Sequence, residues 1–316
     1  MEHVLITGAS GFFGRTVVSR LAAAGHTLTL ASRRPATVPA ATGPHRHVHV
    51  GDLSGSTDWR DALEGCTTVV HLAAQVPGAG VSEDRFRIVN DEATAALTRQ
   101  AAASGVQRFI FMSSIFAITG NASDATVSDD TAPSPASAYG RSKLAAEAHV
   151  RAFAESGDRI GISLRPVMGY GADASGNWRL LQKLAASPLP LPFAAVSNRR
   201  SLIGVDNLAD AVAAVIAKRD DAPTGAFAVA DADPVSLADM LRLLRKGMAR
   251  PAHLVPVPPA LLSGLLQAAG QAKIAKSLLG DLAVDSSRFR ETFSWSPPRD
   301  IRDGIQRSGA EFSKAR

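Results

Sequence analysis

Short apolar runs at 3–7, 27–31, 47–50, 68–72, 108–112 and 161–164 recur through the first half of the chain. Each is about five residues long, without the sustained polar alternation of a half-exposed sheet, and so predicts a strand buried on both faces. Between them the apolar spacing changes to three and four. In 84–104, Phe86, Val89, Ala93, Ala96, Leu97 and Ala101 share one helical face. Strands alternating with helices predict a doubly wound α/β sheet of Rossmann type, with ligands beyond the carboxyl ends of its parallel strands.

After residue 166 the rhythm becomes irregular, with helical patterns at 177–186, 206–218, 236–247 and 300–314 and short strands near 201–205 and 226–230. This predicts a smaller, mostly helical substrate lobe. Residues 1–165, with 201–222, are expected to form the dinucleotide-binding domain. Residues 166–200 and 223–316 are expected to form the second lobe, the chain crossing between the two. The stretch 254–272 carries no charged residue, but Pro256, Pro258 and Pro259 shorten its helix below the ~20 residues a membrane span needs. It reads as a buried or interface helix, and no membrane span is expected.

Composition narrows the chemistry. With 316 residues, 46% hydrophobic and 20% charged, the chain suits a globular protein. Its one cysteine, Cys66, excludes a disulfide framework and points to a reducing, cytoplasmic compartment. The net charge of +5 raises the question of nucleic acid, but the basic residues occur as pairs such as Arg33-Arg34 and Arg199-Arg200 rather than runs. No nucleic-acid partner is expected. His45, His47 and His49 share a strand face but spread over ~13 Å, too far for one coordination sphere. No metal is expected.

The strongest local signal follows the first run: Thr7-Gly8-Ala9-Ser10-Gly11-Phe12-Phe13-Gly14, then a helix. Glycines permit a tight turn and close approach of backbone to a pyrophosphate, and the helix N-terminus offers unpaired N–H groups. Gly8, Ser10, Gly11, Phe12, Phe13 and Gly14 are therefore cofactor candidates. The second strand ends in Arg33-Arg34, without the carboxylate that usually takes an NAD ribose. Two guanidiniums suit the 2′-phosphate of NADP; a solvated basic turn beside NAD is the alternative.

Tyr139 and Lys143 stand four residues apart on one helical face. A free phenol titrates near ~10, and a neighbouring ammonium is expected to lower it toward the range of a general base. Ser113-Ser114 ends the fifth strand, where a hydroxyl would hold a substrate oxygen; Ser114 is the preferred candidate.

Together these residues resemble the extended short-chain dehydrogenase/reductase family, in its NAD-dependent epimerase/dehydratase branch. The landmarks run through nearly the whole chain: the 7–14 loop, Gly51-Asp52-Leu53, His71-Leu72-Ala73-Ala74, Val89-Asn90, Ser113-Ser114, Tyr139 with Lys143, and Leu164-Arg165-Pro166. The resemblance implies that Asp52 and Leu53 contact adenine. It also implies that Leu72, Ala73, Ala74, Asn90, Met112, Tyr139, Lys143, Pro166 and Met168 contact the dinucleotide. In the second lobe Asn177 and Arg200 match positions that hold a sugar diphosphate. The segment 115–120 is one residue longer than the usual pattern, which leaves Ile115 as the other register for the catalytic hydroxyl position. The implied function is that of an NAD(P)-dependent oxidoreductase or epimerase acting at C4 of a nucleotide-linked sugar, as a homodimer through helices in 84–104 and 136–157. Two other readings stand beside it: NADP-dependent reduction of an apolar ketone or aldehyde, and a non-catalytic NADP-binding regulator.

Overall fold

The computed structural model describes residues 1–33, 43–218 and 222–315. Six strands read from the apolar runs are present: β1 (His3–Thr7), β2 (Thr27–Ser32), β3 (His45–His49), β4 (Thr68–His71), β5 (Arg108–Met112) and β6 (Ile160–Pro166). They pair in parallel in the order β3-β2-β1-β4-β5-β6. Every residue of β4 and β5 is buried, as continuous apolar strands require.

Helices cover both faces. α1 (Phe12–Ala23), α2 (Arg60–Leu63), α3 (Glu83–Phe86), α4 (Ala93–Ala103) and α5 (Ala138–Glu155) connect these strands. The stripe read in 84–104 is buried throughout, but the helix is not continuous: a π-helical turn, Arg87–Glu92, separates α3 from α4. Such a turn widens the helix and swings Asn90 inward.

The second lobe begins with β7 (Met168–Tyr170) and α6 (Gly176–Ala185); after β8 (Leu202–Gly204), α7 (Val205–Ala217) returns to the nucleotide-binding domain, where Leu208, Val212 and Ile216 join the core that holds Val17 and Leu21 of α1. β7 and β8 form their own two-stranded parallel sheet. β9 (Gly225–Val229) then returns to the main sheet as its seventh strand, beside β6. The expected boundary at 223 therefore moves: residues 225–229 belong to the nucleotide-binding sheet, because an apolar Ala-Phe-Ala-Val run completes the exposed edge of β6. Arg108 ties the same region down, donating to the last carbonyls of α7 at Ile216 and Lys218, both at 2.8 Å. A cation at a helix C-terminus is favourably placed.

α8 (Leu237–Gly247), α9 (Pro259–Ala268), α10 (Ala272–Leu279), α11 (Ser287–Thr292) and α12 (Ile301–Lys314) complete the chain. α8 and α12 pack closely: a Cβ at Gly309 would lie 2.3 Å from the Leu244 carbonyl oxygen. The segment expected as a buried or interface helix forms α9, in which only Leu262 is buried. The reading of burial failed there because α9 is apolar on all sides, so its outer face keeps Leu261 and Leu265 in solvent.

Candidate active site

The glycine loop turns from β1 into α1 as its sequence requires. Gly8 has φ +72°, and a Cβ there would sit 2.7 Å from the Ala73 amide nitrogen. A Cβ on Gly14 would meet the Gly8 carbonyl oxygen at 2.1 Å. Gly11 caps α1 with no side-chain hydrogen bond, so the helix presents its first N–H groups and its positive end to the cleft. The cleft, of about 370 Å³, is lined by Gly8, Ser10, Gly11, Phe12, Phe13, Gly14, Arg33, Leu53, Leu72, Ala73 and Ala74 among the candidates. A side chain on any of the three glycines would press into this backbone; the cradle fits a dinucleotide pyrophosphate.

A buried hydrogen-bond chain holds the loop opposite. Thr7 Oγ1 accepts from the Ala73 N–H at 3.1 Å and bonds His71 Nδ1 at 2.7 Å. The other ring nitrogen bonds Thr94 Oγ1 at 3.1 Å, and Thr94 donates to the Asn90 carbonyl at 2.6 Å. A neutral ring protonated on Nε2 satisfies every member of this chain. Burial pushes the His71 pKa down to about 3, with Lys143 adding to the effect.

Asn90, expected at the cofactor, is itself buried: its amide accepts from the Gln75 N–H at 2.7 Å and donates to the Gln75 carbonyl and to Ser142 Oγ, both at 3.0 Å. It positions Gln75, which lines the cleft, rather than lining the cleft itself. Asp52, expected at adenine, is exposed, its carboxylate 3.8 Å from both Arg33 and Arg85. Arg34 lies outside the described residues. Arg85, Trp59, Gln75, Val76 and Ser175 also line the cleft; they belong to no spacing pattern, and only the fold brings them in.

Ser114, Tyr139 and Lys143 converge at the carboxyl end of β5. Ser137 caps α5 by accepting from the Gly140 N–H at 3.1 Å, which sets Tyr139 in the first turn. The Tyr139 ring lies between Phe86 and Phe116, at 5.9 and 6.5 Å. Ser114 Oγ accepts from the Phe116 N–H at 3.2 Å, and its side chain is near enough to the phenol to favour the phenolate. Ile115, the other register, is buried in the main core, so Ser114 occupies the hydroxyl position. Lys143 donates to the Met112 carbonyl at 2.7 Å, with its ammonium 4.6 Å from the centre of the Phe111 ring.

The acid–base balance corrects the expectation from sequence. Burial pushes Tyr139 up to about 12, opposed only by the neighbouring Ser114 side chain, which favours the phenolate. Burial likewise pushes Lys143 down to about 7, while the Glu147 carboxylate holds it up. The ammonium is 6.0 Å from the Tyr139 ring centre, and its own desolvation spends what was expected to lower the phenol.

Glu147, one turn beyond Lys143, escaped the sequence reading. It accepts from Ser113 Oγ at 2.5 Å and takes both Nε and Nη2 of Arg165, at 2.9 and 2.6 Å. Ser113 is thereby committed to structure. Pro166 is buried at the end of β6, and Met168 packs toward the second lobe. There, Asn177 is exposed at the start of α6. Arg200, expected to meet a diphosphate, is buried and donates Nη1 to the Asn121 and Gly280 carbonyls at 3.3 and 2.9 Å, and Nη2 to Asn121 at 3.2 Å. Arg199 is exposed instead.

Residues 4–230 match the NAD dependent epimerase/dehydratase family. The chain belongs to that family. The UDP-glucose 4-epimerase of Vibrio cholerae is 32% identical over 324 residues, spanning 99% of this chain and 96% of that protein. The structure of MoeE5 in complex with UDP-glucuronic acid and NAD is 25% identical with a TM-score of 0.77, covering 99% of this chain and 100% of that one. UDP-N-acetylglucosamine 4-epimerase from Bacillus cereus shares the fold at a TM-score of 0.79 and 18% identity, with 99% of each chain covered. As an epimerase/dehydratase family enzyme the chain has an intact glycine cradle, and its Ser114, Tyr139 and Lys143 lie together at the end of β5. No helix among the described residues is long and apolar enough to cross a membrane.

Proposed function

We propose that this protein is an NAD(P)-dependent 4-epimerase of a nucleotide-linked sugar, with Ser114, Tyr139 and Lys143 as catalytic residues. The convergence of Ser114, Tyr139 and Lys143 at the carboxyl end of β5, with Lys143 Nζ held on the Met112 carbonyl at 2.7 Å and 6.0 Å from the Tyr139 ring centre, carries the chemistry. Similarity to the Vibrio cholerae UDP-glucose 4-epimerase along the whole chain, second lobe included, supports the substrate class.

At neutral pH a phenol near pKa 12 rests protonated. Tyr139 takes a proton from the sugar hydroxyl as Ser114 holds the same oxygen, and returns it when the carbonyl is reduced. Bound in the cleft, the oxidised dinucleotide supplies a hydride acceptor and a positive charge that favours the phenolate. Lys143, fixed on the Met112 carbonyl, orients the first turn of α5 and adds its charge when protonated. Phe86 and Phe116 pack edge-on against the phenol ring. In the second lobe, Asn177 and the Arg199-Arg200 pair are the proposed contacts for the diphosphate, with Arg199 the more accessible guanidinium.

Arg33 at the cleft, with no acid at the end of β2, supports NADP as cofactor, with NAD as the alternative used by the MoeE5 complex. Dissociation constants for the two dinucleotides test this: tighter NADP binding, weakened by Arg33→Ala, is expected, and a clear preference for NAD overturns it. A cytoplasmic homodimer through α4 and α5 belongs to the same reading. Incubation with UDP-glucose or UDP-N-acetylglucosamine should yield the C4 epimer by proton NMR. Absence of both epimer and binding at millimolar concentration would overturn the substrate class and favour an apolar carbonyl substrate.

A further inference from the structure

Eight large hydrophobic residues are substantially exposed among the described residues, and five of them fall on segments of the second lobe that pair or pack with one another, around 189, 255 and the α9–α10 hairpin. Leu261 and Leu265, at 55% and 61%, stand one turn apart on α9; Ile274, at 50%, is on α10. Val255 and Leu189 extend the patch, at 46% and 66%. Their segments are joined by backbone pairing, Leu191 N–H to the His253 carbonyl at 2.9 Å and Val255 N–H to the Leu191 carbonyl at 2.8 Å. So concentrated an apolar surface marks an interaction site.

Its charge is one-sided. From 240 to 280 the sequence has no Asp or Glu but carries Arg242, Arg245, Lys246, Arg250, Lys273 and Lys276, between Asp239, which pairs with Arg242 at 3.1 Å, and Asp281. Arg245 is buried on backbone carbonyls, whereas Lys246, Arg250 and Lys276 are exposed. Exposed apolar side chains within a basic stretch of chain, on helices too short to span a bilayer, match the physics of a segment lying in the headgroup layer. A second copy docked face to face would bring one basic stretch against another; an anionic lipid surface neutralises the cations and takes up the leucines.

We propose that the α9–α10 hairpin docks this protein peripherally on an anionic membrane surface. The hairpin also touches the proposed substrate segment. The Gly280 carbonyl, just after α10, accepts from Arg200 at 2.9 Å and from Asn198 at 3.1 Å, and the Leu278 carbonyl accepts from Asn198 at 3.2 Å. Docking therefore brings the substrate lobe to the lipid surface.

Co-sedimentation of the full chain with phosphatidylcholine vesicles, with and without phosphatidylglycerol, tests this. Binding is expected only with phosphatidylglycerol, weakened about fivefold for each cation removed, as in Arg250→Ala and Lys276→Ala. The pair Leu261→Asp and Leu265→Asp should reduce it tenfold or more, with circular dichroism and thermal midpoint unchanged, since both leucines are exposed. The proposal is overturned if the wild type stays in solution with both vesicles, if it binds phosphatidylcholine alone equally well, or if the aspartate pair binds as the wild type does. A dimer in sedimentation velocity that dissociates on the same two substitutions also overturns it, assigning the face to a second copy.

Discussion

Lys143 donates to the carbonyl oxygen of Met112 at 2.7 Å, tying the second turn of α5 to the last residue of β5. Because Tyr139 lies one turn earlier on the same helix face, this bond fixes the phenol relative to the sheet edge. The position of the base thus depends on a buried ammonium with few polar neighbours, and several measurable properties follow.

Glu147 sustains that ammonium. Glu147→Gln removes the charge that holds Lys143 up and leaves Arg165 buried without its carboxylate. Loss of one partner from a buried pair should cost about 3 kcal/mol of stability in denaturant titration. The limb of the pH–rate profile due to Lys143, expected near 7 in the wild type, should also move to lower pH, and Glu147→Asp should move it back. An unmoved limb would make Glu147 purely structural.

His71 should make the protein acid-sensitive. Its pKa is about 3 folded against an ordinary 6.5, so between those values the unfolded chain binds the extra proton. Stability then falls as pH drops through that window, by a limit on the order of 5 kcal/mol for the full shift. Lys143 acts in the other window: between about 7 and its ordinary 10.5 the unfolded chain again binds more protons, so stability rises with pH there. Unfolding free energies across both windows check the two signs, and His71→Phe should flatten the acid limb.

Gly140 is required at the α5 entry. A Cβ there would lie 2.1 Å from the Phe116 carbonyl oxygen, so Gly140→Ala must displace either the first turn of α5 or the segment after Ser114. Both carry the site. Turnover is expected to fall about a hundredfold or more, since small misplacement of catalytic groups is costly. Dinucleotide affinity, which the glycine cradle shares with Tyr139 and Lys143, should fall far less than turnover in a direct binding titration.

The strands, the glycine turn and the Tyr139–Lys143 face were legible in sequence because each is a local pattern of period or spacing. The seventh strand was misplaced because β9 returns to the sheet after a long excursion, which no local pattern records. Asn90 was read at the cofactor, yet the π turn directs its amide to the Gln75 backbone. Phenol and ammonium titration escaped for another reason: spacing reports proximity but not burial, and burial dominates both shifts. Arg200 shows the same limit, since a basic pair gives no sign of which guanidinium folds inward.

The central claim is that Tyr139 exchanges the proton at C4 of a nucleotide-linked sugar. Proton NMR of UDP-glucose or UDP-N-acetylglucosamine incubated with the loaded wild type and with Tyr139→Phe tests it most directly. The account predicts C4 epimer from the wild type and at least a thousandfold slower formation by Tyr139→Phe, with UDP-sugar and dinucleotide affinities within a few-fold. Epimer formed by Tyr139→Phe at a comparable rate would contradict it.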